Sequence, residues 1–255
     1  MNKPLNRVPE VTIYFWIIKV LATTVGETAA DLLSTTLGFG LANTSYIMSG
    51  ILLVVLLNQF RLKRYVPVSY WLAVVLASVV GTLITDRLVD KLGVSLVTTN
   101  IIFGIALAIV FAIWYANEKT LAMHSINTAK REIFYWIAIL LAFALGTATG
   151  DYLAEALNLG YLQALLLFGA AIALTAIGYY YLRLNAVLAF WIAYILTRPL
   201  GASLGDLLTQ PHASGGFGYG STKTSILFLS VIVSLVAYLS FKQKRTRAAM
   251  EGTDA

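Results

Sequence analysis

The stretch WIIKVLATTVGETAAD, Trp16 to Asp31, decides the fold of this chain. It holds a tryptophan, a glycine ten residues on and an aspartate fifteen residues on, in otherwise apolar sequence. The same frame returns as WLAVVLASVVGTLITD (Trp71, Gly81, Asp86), WIAILLAFALGTATGD (Trp136, Gly146, Asp151) and WIAYILTRPLGASLGD (Trp191, Gly201, Asp206). A charge is costly in hydrocarbon, so four aspartates at one depth of four candidate membrane helices require a reason.

Composition assigns the class. The chain has 255 residues, 59% of them hydrophobic and 12% charged, against a charged fraction of about 25% in soluble domains. Its mean hydropathy is +0.79. Apolar segments fall at 11–33, 41–60, 66–89, 96–116, 132–157, 161–182, 186–208 and 222–241, each near the length that crosses a bilayer core of about 30 Å. The expected fold is therefore all-α and polytopic, with eight transmembrane helices arranged as four parallel helical-hairpin repeats. No separate soluble domain fits beside them. The start, with Lys3 and Arg7 before an apolar run, resembles a signal peptide, but Lys19, Glu27 and Asp31 within that run mark a retained helix.

The repeat tryptophans are separated by 55, 65 and 55 residues, and the extra ten lie in the polar linker Asn117 to Arg131. The linker divides the chain into halves, residues 1–125 with repeats one and two and 126–255 with repeats three and four. An even number of helices per repeat gives all four one orientation, with axes along the membrane normal, unlike inverted-repeat transporters. The odd helices are expected inside.

With the amino terminus inside, thirteen of the Lys and Arg residues are cytoplasmic, from Lys3 and Arg7 through Arg61, Lys63, Arg64, Lys119, Lys130, Arg131 and Arg183 to Lys242, Lys244, Arg245 and Arg247. Only Arg87, Lys91 and Lys223 fall outside. Such a bias places both termini in the cytoplasm. Trp16, Trp71, Trp136 and Trp191, with Phe15, Tyr70, Tyr135 and Phe190, are expected to form the inner interfacial belt. The basic residues sit where spans end rather than among stacking aromatics, which argues against a nucleic-acid partner. The absence of cysteine removes disulfides and thiolate chemistry.

Stepping by four residues places Asp31, Glu27, Thr23 and Lys19 on one face of the first inner helix, and Asp86, Thr82 and Ser78 on one face of the next. Asp151 and Thr147 share a face of the third, and Asp206 and Arg198 of the fourth. Five embedded acids, Glu27, Asp31, Asp86, Asp151 and Asp206, against two bases, Lys19 and Arg198, favour a small cation or protons. Hard oxygen ligands suit Mg²⁺, Mn²⁺ or Ca²⁺, with Thr82 and Thr147 lining a path. Alternatively the aspartates cap helix ends at the outer surface, Glu27 and Arg198 form an architectural ion pair, and Lys19 snorkels to the inner interface. Gly26, Gly81, Gly146 and Gly201, followed four residues later by Ala30, Thr85, Gly150 and Gly205, have the small-xxx-small spacing of tight helix packing. Gly201-Ala202-Ser203-Leu204-Gly205 also matches G-x-S-x-G, but a serine nucleophile needs a base in reach, and His124 and His212 fall in loops.

Four tandem two-helix repeats, each with a tryptophan and a glycine-acid element (Gly26-Glu27 and Asp31, Gly81-Thr82 and Asp86, Gly146-Thr147 and Gly150-Asp151, Gly201 and Gly205-Asp206), resemble a bacterial membrane family described by a repeat of unknown function. That family has two transmembrane regions and one tryptophan per repeat. The likeness runs from about Val11 to Ser240 and implies the architecture and an inner-membrane address, with no activity, cofactor or catalytic residues attached. The expected function is a non-enzymatic transporter or exchanger for a small cation, needing no cofactor, with the lipid bilayer and the cation or protons as partners. Its alternatives are a membrane scaffold with structural ion pairs and an intramembrane serine hydrolase. The oligomeric state, including a homo-oligomer, stays open.

Overall fold

The computed structural model describes residues 6–251, and of 247–251 the helical backbone alone. Of the charges counted for topology, Lys3 and the Arg247 side chain lie outside the described residues. Among the described residues eight helices are long and apolar enough to cross a membrane: α1 (Ile13–Asp31), α2 (Leu41–Arg61), α3 (Pro67–Asp86), α4 (Leu96–Glu118), α5 (Ala129–Asp151), α6 (Tyr161–Tyr181), α7 (Ala186–Thr209) and α8 (Ser221–Glu251). In the odd-numbered spans 50–72% of the apolar window is buried, against 17–22% in the even ones. The odd helices are thus the core, and the even helices turn Ile51, Leu53, Ile105, Leu166, Leu174 and Val233 outward, as lipid-facing spans do.

Helix starts are written locally. Thr12, Thr128 and Asn185 cap α1, α5 and α7 through side-chain oxygens that accept first-turn amides, and α3 begins on Pro67, whose missing donor costs nothing there. Immediately past Asp31, Asp86 and Asp151 the helix widens into a π turn, closed by i+5 bonds from Leu37 N to Leu32 O (2.8 Å), Leu92 N to Arg87 O (3.2 Å) and Leu157 N to Tyr152 O (3.0 Å). The fourth repeat stays α-helical, with Gln210 N bonding Asp206 O at 2.8 Å. Glycines at positive φ, Gly40 and Gly160 among them, then turn the chain into α2 and α6, which no β-carbon-bearing residue does as cheaply. The eighth helix runs ten residues past its predicted end at 241, because Lys242 to Glu251 is polar but rich in helix formers.

The inner helices form a ring in which α1 packs on α3, α3 on α5, α5 on α7 and α7 on α1. One rule repeats around it. A β-carbon on Gly26 would overlap Ser78, one on Gly81 would overlap Phe143, one on Gly146 would overlap Arg198, and one on Gly201 would overlap Thr23. Each glycine therefore admits the residue three positions before the next repeat's glycine, and the last repeat closes on the first. Gly150 and Gly205 sit against Ala202 and Glu27 in the same sense. Without a hydrophobic force between helices in lipid, this close backbone approach is what holds the ring.

The aromatic residues obey the same rotation. Phe15 meets Trp71 (5.6 Å between ring centroids), Tyr70 meets Trp136 (5.5 Å), Tyr135 meets Trp191 (6.2 Å) and Phe190 meets Trp16 (5.9 Å). Trp71, Trp136 and Trp191 are buried and only Trp16 is partly open, so the tryptophans are wedges between repeats, where sequence suggested interfacial anchors. Each outer helix leans on the next repeat's inner helix: α2 on α3, α4 on α5, α6 on α7 and α8 on α1. Asn100 of α4 bridges Ala148 O and the Thr149 hydroxyl on α5, and Ser225 of α8 donates to Thr28 on α1 at 2.8 Å. The four hairpins interlock into one body.

Candidate functional site: an acidic vestibule above a buried arginine

The inner-helix stripes converge on a cavity of about 570 Å³ at the end of the bundle opposite the tryptophans. Its wall is tiered. Asp31, Asp86, Asp151 and Asp206, one per repeat, form the ring; Thr35, Asp90, Glu155 and Gln210, four residues further along each repeat, form the rim; Glu27 lies at the bottom. Seven carboxylates thus share one space with Lys91 as the basic residue in its lining. The ring carboxylates have no hydrogen-bond or ion-pair partner among the described residues, and Asp206 is only 7% exposed. The aspartates do not cap helices, since the chain continues helically through Asp31, Asp86 and Asp151 and no amide bonds to them.

Asp90 and Glu155 went unread in the sequence, although the same four-residue step that found Glu27 below the ring reaches them above it. An α-helix drifts about 40° per such step, and a turn closed by i+5 bonds holds more residues and undoes that drift. The π turns therefore keep Thr35, Asp90 and Glu155 facing the axis, while Gln210 reaches the rim from the end of an α-helix.

Arg198 closes the bottom. Its guanidinium lies fully buried across the ring axis and touches all three other inner helices. It donates to Glu27 Oε2 at 2.9 Å and Thr23 O at 3.4 Å on α1, to the Thr82 hydroxyl on α3 and to the Thr147 hydroxyl at 2.6 Å on α5. Glu27 is thus paired with Arg198, not Lys19, and Thr82 and Thr147 are occupied with the guanidinium instead of lining an open path. Gly146 is what allows Arg198 its place, as any side chain there would displace the arginine stem.

Beneath Arg198 the axis is filled. Lys19 does not snorkel: its ammonium is fully buried, donates to the Thr197 hydroxyl at 3.1 Å and lies 4.3 Å and 4.1 Å from the Phe143 and Tyr194 ring centres. No carboxylate pairs with it among the described residues, so hydroxyl and aromatic faces alone hold it. The Phe143 and Tyr194 rings that flank it are near parallel, 6.1 Å between centroids, and the hydroxyls of Tyr70 and Tyr135 are bonded to each other. At the far end a further buried acid appears, Glu132, which sequence reading did not count. It accepts from Arg7 at 2.7 Å and from Gln59 at 3.1 Å, and the segment through Asn6 to Val8 is strapped across that mouth by Arg7 N to Ile126 O and Tyr65 N to Asn6 O bonds.

Among the described residues no group of three His, Cys, Asp or Glu stands close enough to hold one metal ion. The carboxylates share a space without meeting at a point. Ser203 is buried with its hydroxyl unpartnered among the described residues, while His212 Nδ1 is bonded to Gly216 O at 2.9 Å.

A family model described as Repeat of Unknown Function (DUF347) matches the chain four times, over residues 14–65, 69–120, 134–185 and 189–245. The chain belongs to that family. No curated protein and no solved structure matches it.

Proposed function

We propose that this four-repeat protein is a carrier for cations in a bacterial inner membrane, captured with its acidic vestibule open and its opposite end shut. The observation that carries the reading is the convergence of four unpaired aspartates, one from each repeat, on a cavity that reaches down to Glu27. Unpaired carboxylates at membrane depth are costly unless water or a cation offsets them. A scaffold that needed ion pairs only for helix register would place a base beside each acid, as it does at Glu27 and Glu132. The ring acids lack that.

Arg198 acts in this reading as a tethered cation that occupies Glu27 until an incoming cation or proton competes for it. The filled axis below argues for alternating access over a continuous channel. The excess of basic residues at the tryptophan end supports a cytoplasmic side there, with the vestibule facing outward. Purified protein in proteoliposomes, loaded with a cation-sensitive dye, tests this: Asp86→Asn with Asp151→Asn should reduce flux at least about tenfold, the scale expected when charge-assisted contacts are lost. Flux unchanged in that double variant, or absent in the unaltered protein, contradicts the proposal and leaves the scaffold.

A further inference from the structure

Resting on the cation-carrier reading, we infer that the ligand of the vestibule is a linear aliphatic polyamine, with ammonium groups separated by three or four methylenes, rather than a bare metal ion. Asp206, nine-tenths buried, lines the cavity with no partner among the described residues, and the basic residue of the lining, Lys91, is exposed and makes no ion pair with it, so the site has room for a positive group from outside the chain.

The arrangement of charge selects the kind of cation. A dehydrated Ca²⁺ or Mg²⁺ needs about six or more oxygens around one point, and the described residues gather no group of three acids that could hold a metal ion. A hydrated metal ion would engage one tier. Here the acids are stepped in depth: Glu27, then the aspartate ring, then Asp90 and Glu155 at the rim, each four residues beyond the last. Four α-helical residues rise about 6 Å, as between Glu27 and the aspartate ring, and the wider π turns bring ring and rim somewhat closer than that, the scale on which three or four methylenes separate two ammonium groups. Leu41, Val89 and Leu96 in the same wall give those methylenes apolar contact. The floor already accepts a nitrogen cation, since Glu27, Thr82 and Thr147 all take N–H donors from Arg198. The first ammonium of the ligand sits in the aspartate ring above Arg198, and the next is held by Asp90 and Glu155.

The test is calorimetric binding to the full-length protein in nanodiscs, with spermidine, putrescine, butylamine, Ca²⁺ and Mn²⁺ as probes, beside flux of the same cations in proteoliposomes. Affinity should rise from butylamine to putrescine to spermidine, by roughly three- to tenfold per ammonium. Asp90→Asn with Glu155→Gln, at the exposed rim, should weaken spermidine about tenfold while changing butylamine less than about twofold. Equal binding of all three amines, or equal loss of spermidine and butylamine in the rim variant, overturns the inference. If Ca²⁺ or Mn²⁺ is bound and carried, and the amines are not, the polyamine assignment fails while the cation carrier stands. If none of the five probes binds or moves, both fail. The amine series on the unaltered protein needs no variant, so a misfolded mutant does not remove the test.

Discussion

At Arg198 one side chain ties four helices together. Its guanidinium is held by a carboxylate, two hydroxyls and a backbone carbonyl from α1, α3 and α5, while its stem occupies the space that Gly146 leaves. Removing one member of a buried pair leaves the other charge uncompensated, at about 3–5 kcal/mol, whereas removing both is far less costly. Arg198→Met and Glu27→Gln should therefore each lower the thermal midpoint sharply, and the double variant should recover much of the loss. Additive losses in that cycle would mean that the two groups do not depend on each other. The stripe arithmetic made the partners of this pair visible, because Glu27 and Arg198 lie on equivalent faces one step apart. It did not reveal that Lys19 would be buried beneath them, since burial there depends on the facing rings of Phe143 and Tyr194, which nothing in the spacing of α1 specifies.

Among the elements, the division of labour is between inner helices patterned by glycine and outer helices patterned by little but hydropathy. Gly26, Gly81, Gly146 and Gly201 each face a neighbouring repeat, while Gly50 and Gly104 on α2 and α4 have open space where a β-carbon would go. Overpacking a filled contact costs about 1–3 kcal/mol or more, and replacing an uncrowded helical glycine by alanine gains about 0.5–1 kcal/mol. Thermal melts of Gly81→Val and Gly201→Val should fall, and those of Gly50→Ala and Gly104→Ala should hold or rise; equal responses would remove the packing account of the ring. The existence of eight spans was legible because each apolar run has bilayer length. The lean of each outer helix on the next repeat was not, as the smooth apolar faces of α2, α4, α6 and α8 carry no address. The burial of the tryptophans between repeats was hidden for a related reason: an aromatic near a span end fits an interface and an inter-repeat wedge equally, and only the partner ring reveals the wedge.

For the molecule as a whole, the four-fold pattern builds a shape and its exceptions supply the chemistry. Glycines, tryptophans and ring aspartates repeat in all four units, whereas Lys19, Glu27 and Arg198 occur once each and lie on the axis, where a symmetric set of charges would repel. The strap at Arg7 and Glu132 closes the tryptophan end, and the vestibule opens the other. One measurement bears on this most directly. The chain has no cysteine, so single variants Asp31→Cys, Asp86→Cys, Asp151→Cys and Asp206→Cys can be exposed in sealed proteoliposomes of known orientation to a membrane-impermeant, positively charged thiol reagent, with Val74→Cys and Ile139→Cys, both fully buried below Arg198, as references. All four ring positions should react from the same side, and neither reference should. Ring positions that react from opposite sides, or that stay as silent as the references, would contradict a shared, wet vestibule.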